Sequence, residues 1–103
     1  MNMKPIIALR TLRRALLKLK SKRLAQNQFY DPATRCYCAV GLLARELNGG
    51  RKPRSFARVL EKHDIDAWLW IDLVNANDMA PDSPEERYAA VLASVRQRIA
   101  GPA

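Results

Sequence analysis

Cys36 and Cys38 stand one residue apart at the entrance to the most apolar segment of the chain, RCYCAVGLLA over residues 35–44, and the chain holds a single histidine, His63. Thiolates and imidazole are natural zinc ligands, and a thiolate beside an imidazole is the core of a nucleophilic catalyst. Zinc sites usually take four ligands with cysteine pairs spaced C-x(2–4)-C; here the spacing is C-x-C, and Asp78 would have to join His63 to complete the set. A cysteine at a helix N-terminus gains from the free N–H groups and the dipole there, and His63 could serve as its base. No glycine-rich stretch lies beside the cysteines to build an oxyanion hole. A disulfide between the two would close a tiny strained loop, since the side chains point to opposite sides of an extended chain and lie about 200° apart around a helix. Free cysteine packs as a small hydrophobe. Both thiols are therefore expected to line the core, with no metal and no cofactor, and a small thiol- or zinc-dependent enzyme centred on Cys36, Cys38 and His63 stands as the alternative.

The charge is the other chemical feature. The 103 residues carry a net +8, distributed as +8 over residues 1–30, +4 over 31–60 and −4 over 61–103. A chain polarised in this way attracts polyanions or an acidic protein face through its basic end. The contact surface expected is Arg10, Arg13, Arg14, Lys18, Lys22 and Arg23, supported by Arg51, Lys52 and Arg54. The complementary halves also allow a homodimer across a two-fold axis.

Helices must position these groups. Leu9, Leu12, Leu16 and Leu19 share one face of a helix expected over residues 5–25, with Arg10, Arg14 and Lys18 on another face and Pro5 in the first turn. Asp31-Pro32 marks a connection, with a weak extended possibility across FYDPATRCYC. A second helix is expected from Thr34 or Cys36 to Asn48, with Cys36, Val40, Leu43 and Leu47 inward and Asn48-Gly49-Gly50 as a left-handed stop. Gly41 inside it costs about 1 kcal/mol in propensity, which suits a position where another backbone comes close. Ser55 caps a short third helix with Phe56, Val59 and Leu60 inward, and Asp66 caps a fourth carrying Trp68 and Trp70, one of them partly exposed as a protein-contact anchor or a lid on the core edge. That fourth helix is acidic and tryptophan-bearing, a poor fit to a DNA groove, so no helix-turn-helix is expected. Asn75-Ala76-Asn77-Asp78 reads as turn chemistry that ends the fourth helix and leads into Pro81-Asp82-Ser83. Ser83-Pro84-Glu85-Glu86 opens the last helix as a capping box; Tyr88, Leu92, Val95 and Ile99 face inward until Gly101-Pro102.

The order of a basic first helix, Cys38-Ala39-Val40-Gly41-Leu42-Leu43, a later Asn77-Asp78 and a PEERYAAVLASV-type last helix resembles a loose group of small bacterial and bacteriophage proteins without assigned activity. The resemblance implies a phage or mobile-element origin and a packing of the Cys38–Gly41 segment on the Asn77-Asp78 turn. Cys36-Tyr37 and the strongly basic first helix depart from that pattern.

The expectation is an all-α fold, a small single-domain bundle of about five helices of unequal length spanning 1–103. It has no apolar run approaching the roughly 18 residues that cross a bilayer and no signal-peptide pattern, which places it in the cytoplasm away from membranes. Its expected function is that of a non-enzymatic binding or regulatory protein that engages an acidic protein partner or nucleic acid.

Overall fold

The computed structural model describes residues 3–79 and 83–101. Pro5 opens α1 (Pro5–Lys18), whose Ala8, Leu9, Leu12, Ala15 and Leu16 are buried while Arg10, Arg14 and Lys18 are exposed. The helix ends seven residues before the expected Ala25. Continuing it would carry Leu24 toward the solvent side of the leucine stripe. Instead Leu19 turns extended, and Leu24 and Ala25 enter the core from an extended connection. There the Leu24 N–H donates to Pro84 O (3.1 Å) and the Ala25 N–H to Tyr37 O (2.9 Å).

The segment 34–38 is a correction to the expected second helix. Cys36 is not on a helical stripe; it lies in a short hairpin formed by β1 (Tyr30–Asp31) and β2 (Cys36–Tyr37), antiparallel, with Tyr30 opposite Tyr37 and Asp31 opposite Cys36. Asp31 makes the turn: its Oδ1 accepts from the Ala33 N–H (2.9 Å), its carbonyl accepts from the Arg35 N–H (2.7 Å), and Arg35 takes a left-handed φ of 58°. This local carboxylate-to-backbone bonding competes with helix. The weak extended signal was the correct one. Helix α2 (Ala39–Leu47) starts only after Cys38, and ends at Asn48 with Gly49 left-handed at φ 71°.

The remaining helices are α3 (Phe56–Lys62), α4 (Ala67–Asp78) and α5 (Pro84–Ala100). Ser55 Oγ accepts from Arg58 N (3.2 Å), Asp66 Oδ1 from Leu69 N (3.0 Å) and Ser83 Oγ from Glu86 N (3.3 Å), as their cap positions require. Ser83 Oγ also donates to Glu85 Oε2 (2.9 Å), so the capping hydroxyl is held by the carboxylate two residues on. Pro81, Asp82 and Pro102 lie outside the described residues. Leu12, Leu16, Leu24, Val40, Leu43, Leu60, Leu73, Val91 and Val95 form one core to which all five helices contribute, an all-α domain with one small hairpin. Packing α1 against α2 and α5, and α4 against both of these, encloses it. No described helix is long and apolar enough to cross a membrane.

Two contacts fix how the 19–38 region meets the helices. Asn77, 1% exposed in the last turn of α4, donates through Nδ2 to Ala25 O (2.8 Å) and accepts at Oδ1 from the Ala39 N–H (3.0 Å). Asp78 accepts from the Asn27 N–H at Oδ1 (3.1 Å), and its carbonyl accepts from Gln26 Nε2 (2.9 Å). Gly41 lies so close to Phe29 that a Cβ there would overlap the Phe29 carbonyl oxygen and lie 2.8 Å from its carbon. Close backbone approach is thus why glycine occupies a helix interior. Asn77→Ala leaves a buried N–H and a buried carbonyl unpaired and should cost about 2–4 kcal/mol in urea denaturation. Gly41→Ala forces backbone against backbone and should cost about 3 kcal/mol or more by the same measurement.

Candidate functional site

The thiols come first. Cys36 and Cys38 are both buried and unpaired, and Cys38 belongs to the core cluster. Of the two cysteines that could stand at a helix N-terminus, Cys38 does so: it is the N-cap of α2, and its Sγ accepts from the Gly41 N–H (3.3 Å). Burial pushes its thiol pKa up, with the Gly41 and Val40 N–H groups pulling it down and Asp78 nearby adding to the rise. The neutral thiol is favoured at physiological pH, whereas an activated nucleophile needs the thiolate. His63 ends α3 half-buried, its carbonyl accepting from the Met3 N–H (3.3 Å). Among the described residues no three His, Cys, Asp or Glu side chains come together as metal ligands. Asp78, the proposed fourth ligand, is occupied with the Asn27 N–H and Asn77 Nδ2 (2.9 Å).

The cations divide into two groups. Arg10, Arg14 and Lys18 recur every four residues, so they run along one exposed face of α1 that winds toward α2. There Glu46, its side chain only 18% exposed, meets Arg14 Nε (3.7 Å) and Lys18 Nζ (3.1 Å). The next α2 residue back is Arg45. Lys18, Lys20, Arg45 and Glu46 line one open groove of about 400 Å³ with Leu42 and Ser21. The Arg45 guanidinium lies 5.2 Å from the Tyr37 ring centre, Tyr37 lies 4.7 Å from Tyr30, and Lys52 Nζ stands 4.7 Å from the Tyr30 centre. A single band therefore leads from α1 across α2 and the hairpin to the 48–55 connection. Arg51 and Arg54 are exposed on that connection, and neither side chain has an ion pair among the described residues.

Lys22 and Arg23 sit elsewhere. Lys22 Nζ is 3.5 Å from both Leu19 O and the Tyr88 hydroxyl and 5.3 Å from the Tyr88 ring centre. Arg23 Nε lies 3.0 Å from Glu85 Oε1, an ion pair without hydrogen-bond alignment. Both cations thus face α5. Arg13, half-buried, lies on the opposite flank of α1 from Lys18. Sequence reasoning missed Lys20, Arg45, Tyr30 and Tyr37. Tyr30, Arg35 and Tyr37 within YDPATRCY carried the one signal for the hairpin face, which a helix reading of 34–38 hid; nothing local in the sequence places Lys20 or Arg45 beside them.

Trp68 is 75% exposed at the rim of a second open groove, about 760 Å³, lined by Leu9, Leu69, Asp72 and Arg98 among others. Trp70 is half-buried, 6.3 Å from Phe29. One tryptophan is exposed and one packs, as the alternation along α4 requires.

Comparison with protein-family models, with curated proteins and with solved structures finds no match to this chain. Under native conditions at pH 7.5 both thiols should resist a disulfide reagent such as Ellman's and react only as denaturant unfolds the chain. One thiol reacting faster than free cysteine would restore the thiol-enzyme alternative.

Proposed function

We propose that this protein is a non-enzymatic binding module that holds an extended polyanion, a nucleic acid, along the band from α1 to the 48–55 connection. The observation that carries this reading is the continuity of Arg10, Arg14, Lys18, Lys20, Arg45, Lys52, Arg51 and Arg54 from α1 to the 48–55 connection; of the acids on that path, Glu46 pairs with Arg14 and Lys18, and Asp31 of the hairpin is bonded to the N–H groups of its own turn. A run of cations spread along a path matches the spaced charges of a phosphate backbone, and release of its counterions drives binding. Glu46 orders two long side chains at the cost of some positive potential. Asp66 and Asp72, on or beside α4, share the other groove with Pro5 and Leu9 of α1, and Glu85 of α5 pairs with Arg23, so these acids stand on elements other than those that carry Arg45, Arg51, Lys52 and Arg54. The two unpaired thiols suit a reducing cytoplasm, where such a module would act as a regulator or accessory of a nucleic-acid process.

The test is a titration of fluorescent duplex and single-stranded DNA at 50 and 200 mM salt. Affinity should fall by about 10-fold or more between the two salts, as expected when several phosphates are neutralised. The double variant Arg51→Glu, Arg54→Glu should weaken binding and flatten the salt dependence. Arg96→Glu, on α5, makes half that charge change outside the band and should leave affinity within about two-fold. Glu46→Gln should tighten binding. No binding at 50 mM salt, together with retention on immobilised polyglutamate, would replace nucleic acid by an acidic protein partner.

A further inference from the structure

The hairpin adds something that charge alone does not. Tyr30 and Tyr37 face one another across the two-residue ladder, ring centres 4.7 Å apart at an interplanar angle of 51°. Arg45 flanks Tyr37 and Lys52 flanks Tyr30, giving the order cation, ring, ring, cation. Behind them Phe56 anchors the pair: its ring centre is 6.2 Å from Tyr37 and 5.2 Å from Phe29. The platform is thus rigid at its base and half-exposed at its tyrosines, with Arg35 exposed at the hairpin turn.

We infer that Tyr30 and Tyr37 form a stacking site for unpaired nucleobases, so that the band prefers single-stranded nucleic acid over duplex. This rests on the polyanion reading above and narrows it. The basis is the placement of two aromatic rings inside a run of cations. Aromatic side chains interleaved with a positive track are the physical means by which proteins hold single strands, because every base has a π face and a paired base hides it. In the free protein Lys52 covers Tyr30. Lys52 is exposed on an irregular connection, so its ammonium can leave the ring for a phosphate when a base arrives. A surface ammonium on an aromatic face is worth about two- to five-fold. A stacked base is worth about five- to 100-fold, so the exchange favours the base. Duplex DNA, with its bases stacked on each other, gains nothing from the rings and meets only the cations. The shared chemistry is an unpaired base on a sugar-phosphate chain, from either DNA or RNA.

The experiment measures anisotropy of labelled 12-nucleotide oligo-dT, 12-nucleotide oligo-rU and a 12-base-pair duplex at 50 mM salt, with wild-type protein, Tyr30→Phe and Tyr30→Leu. At least one single strand should bind more tightly than duplex, and which of the two binds better separates DNA from RNA. Tyr30→Leu should weaken single-strand binding about 10-fold and duplex binding less than two-fold, while Tyr30→Phe keeps both. Because Tyr30→Leu also removes the contact with Tyr37, a second measurement uses the unmutated chain: ultraviolet cross-linking of 5-bromouracil oligonucleotide, with the modified peptide containing Tyr30 or Tyr37. Equal affinity for single strand and duplex, with cross-links elsewhere, overturns the stacking site and leaves the polyanion band standing. Salt-sensitive loss of all binding in the Arg51→Glu, Arg54→Glu variant alongside no effect of Tyr30→Leu does the same. No binding of any oligonucleotide by the wild-type protein overturns both.

Discussion

The amide of Asn77 is the constraint from which the rest of the arrangement follows. It reaches out of the last turn of α4 and satisfies two backbone groups 14 positions apart in sequence, the carbonyl of Ala25 and the N–H of Ala39. Both lie where no secondary structure can pair them: one on an extended connection, the other at the first residue of a helix, whose leading N–H groups have no partner inside it. A buried peptide group left without a partner costs more than a made bond contributes. One side chain with both a donor and an acceptor removes two such costs at once, and only an amide can do it at this length. Asp78 then continues the contact to Asn27 and Gln26, so the end of α4 grips the whole 25–27 segment.

Gripping that segment decides where the hairpin stands. Phe29 is pressed against Gly41, and its carbonyl accepts from the Cys38 N–H (3.2 Å). With Phe29 fixed, Tyr30 has one place to go, opposite Tyr37 and beneath Lys52. Cys38 belongs to the same joint: its sulfur caps α2 where serine or aspartate would ordinarily serve. A sulfur is a weak acceptor, and here it is buried, where an unpaired N–H would be costly. Cys38 thus serves the architecture of this joint, buried in the core and capping α2.

Charge and shape act together on that surface. Buried Arg87 donates from Nε to Leu24 O (3.0 Å) on the connection after α1, and Tyr88 from its hydroxyl to Leu16 O (2.8 Å) in the last turn of α1, so two residues of α5 hold the end of α1 and the chain beyond it. This leaves Lys18 and Lys20 at the rim of a groove rather than trailing from a longer helix. Arg10, Arg14 and Lys18 of α1 and Arg51, Lys52 and Arg54 of the 48–55 connection stay exposed, with half-buried Arg45 of α2 between them. Those that turn toward α5, Lys22 and Arg23, find a hydroxyl and a carboxylate.

Much of this is legible in the sequence. Proline at the first turn, serine or aspartate at three caps, glycine after α2 and leucine spacing along α1 are local signals, and local signals set local structure. They determined five helices on one core, where four of them begin and the positive sign of the first half. They did not determine the end of α1, the hairpin, or the meaning of Asn77 and Cys38. Those features depend on partners far along the chain: Leu24 on Pro84 and Arg87, Ala39 on Asn77, Tyr30 on Lys52. A sequence shows which residues carry donors, rings and charges. Only the folded chain sets the distances between groups remote in sequence, and hydrogen bonds, ring contacts and screened charges all fall off too steeply with distance for the sequence alone to say which of them meet.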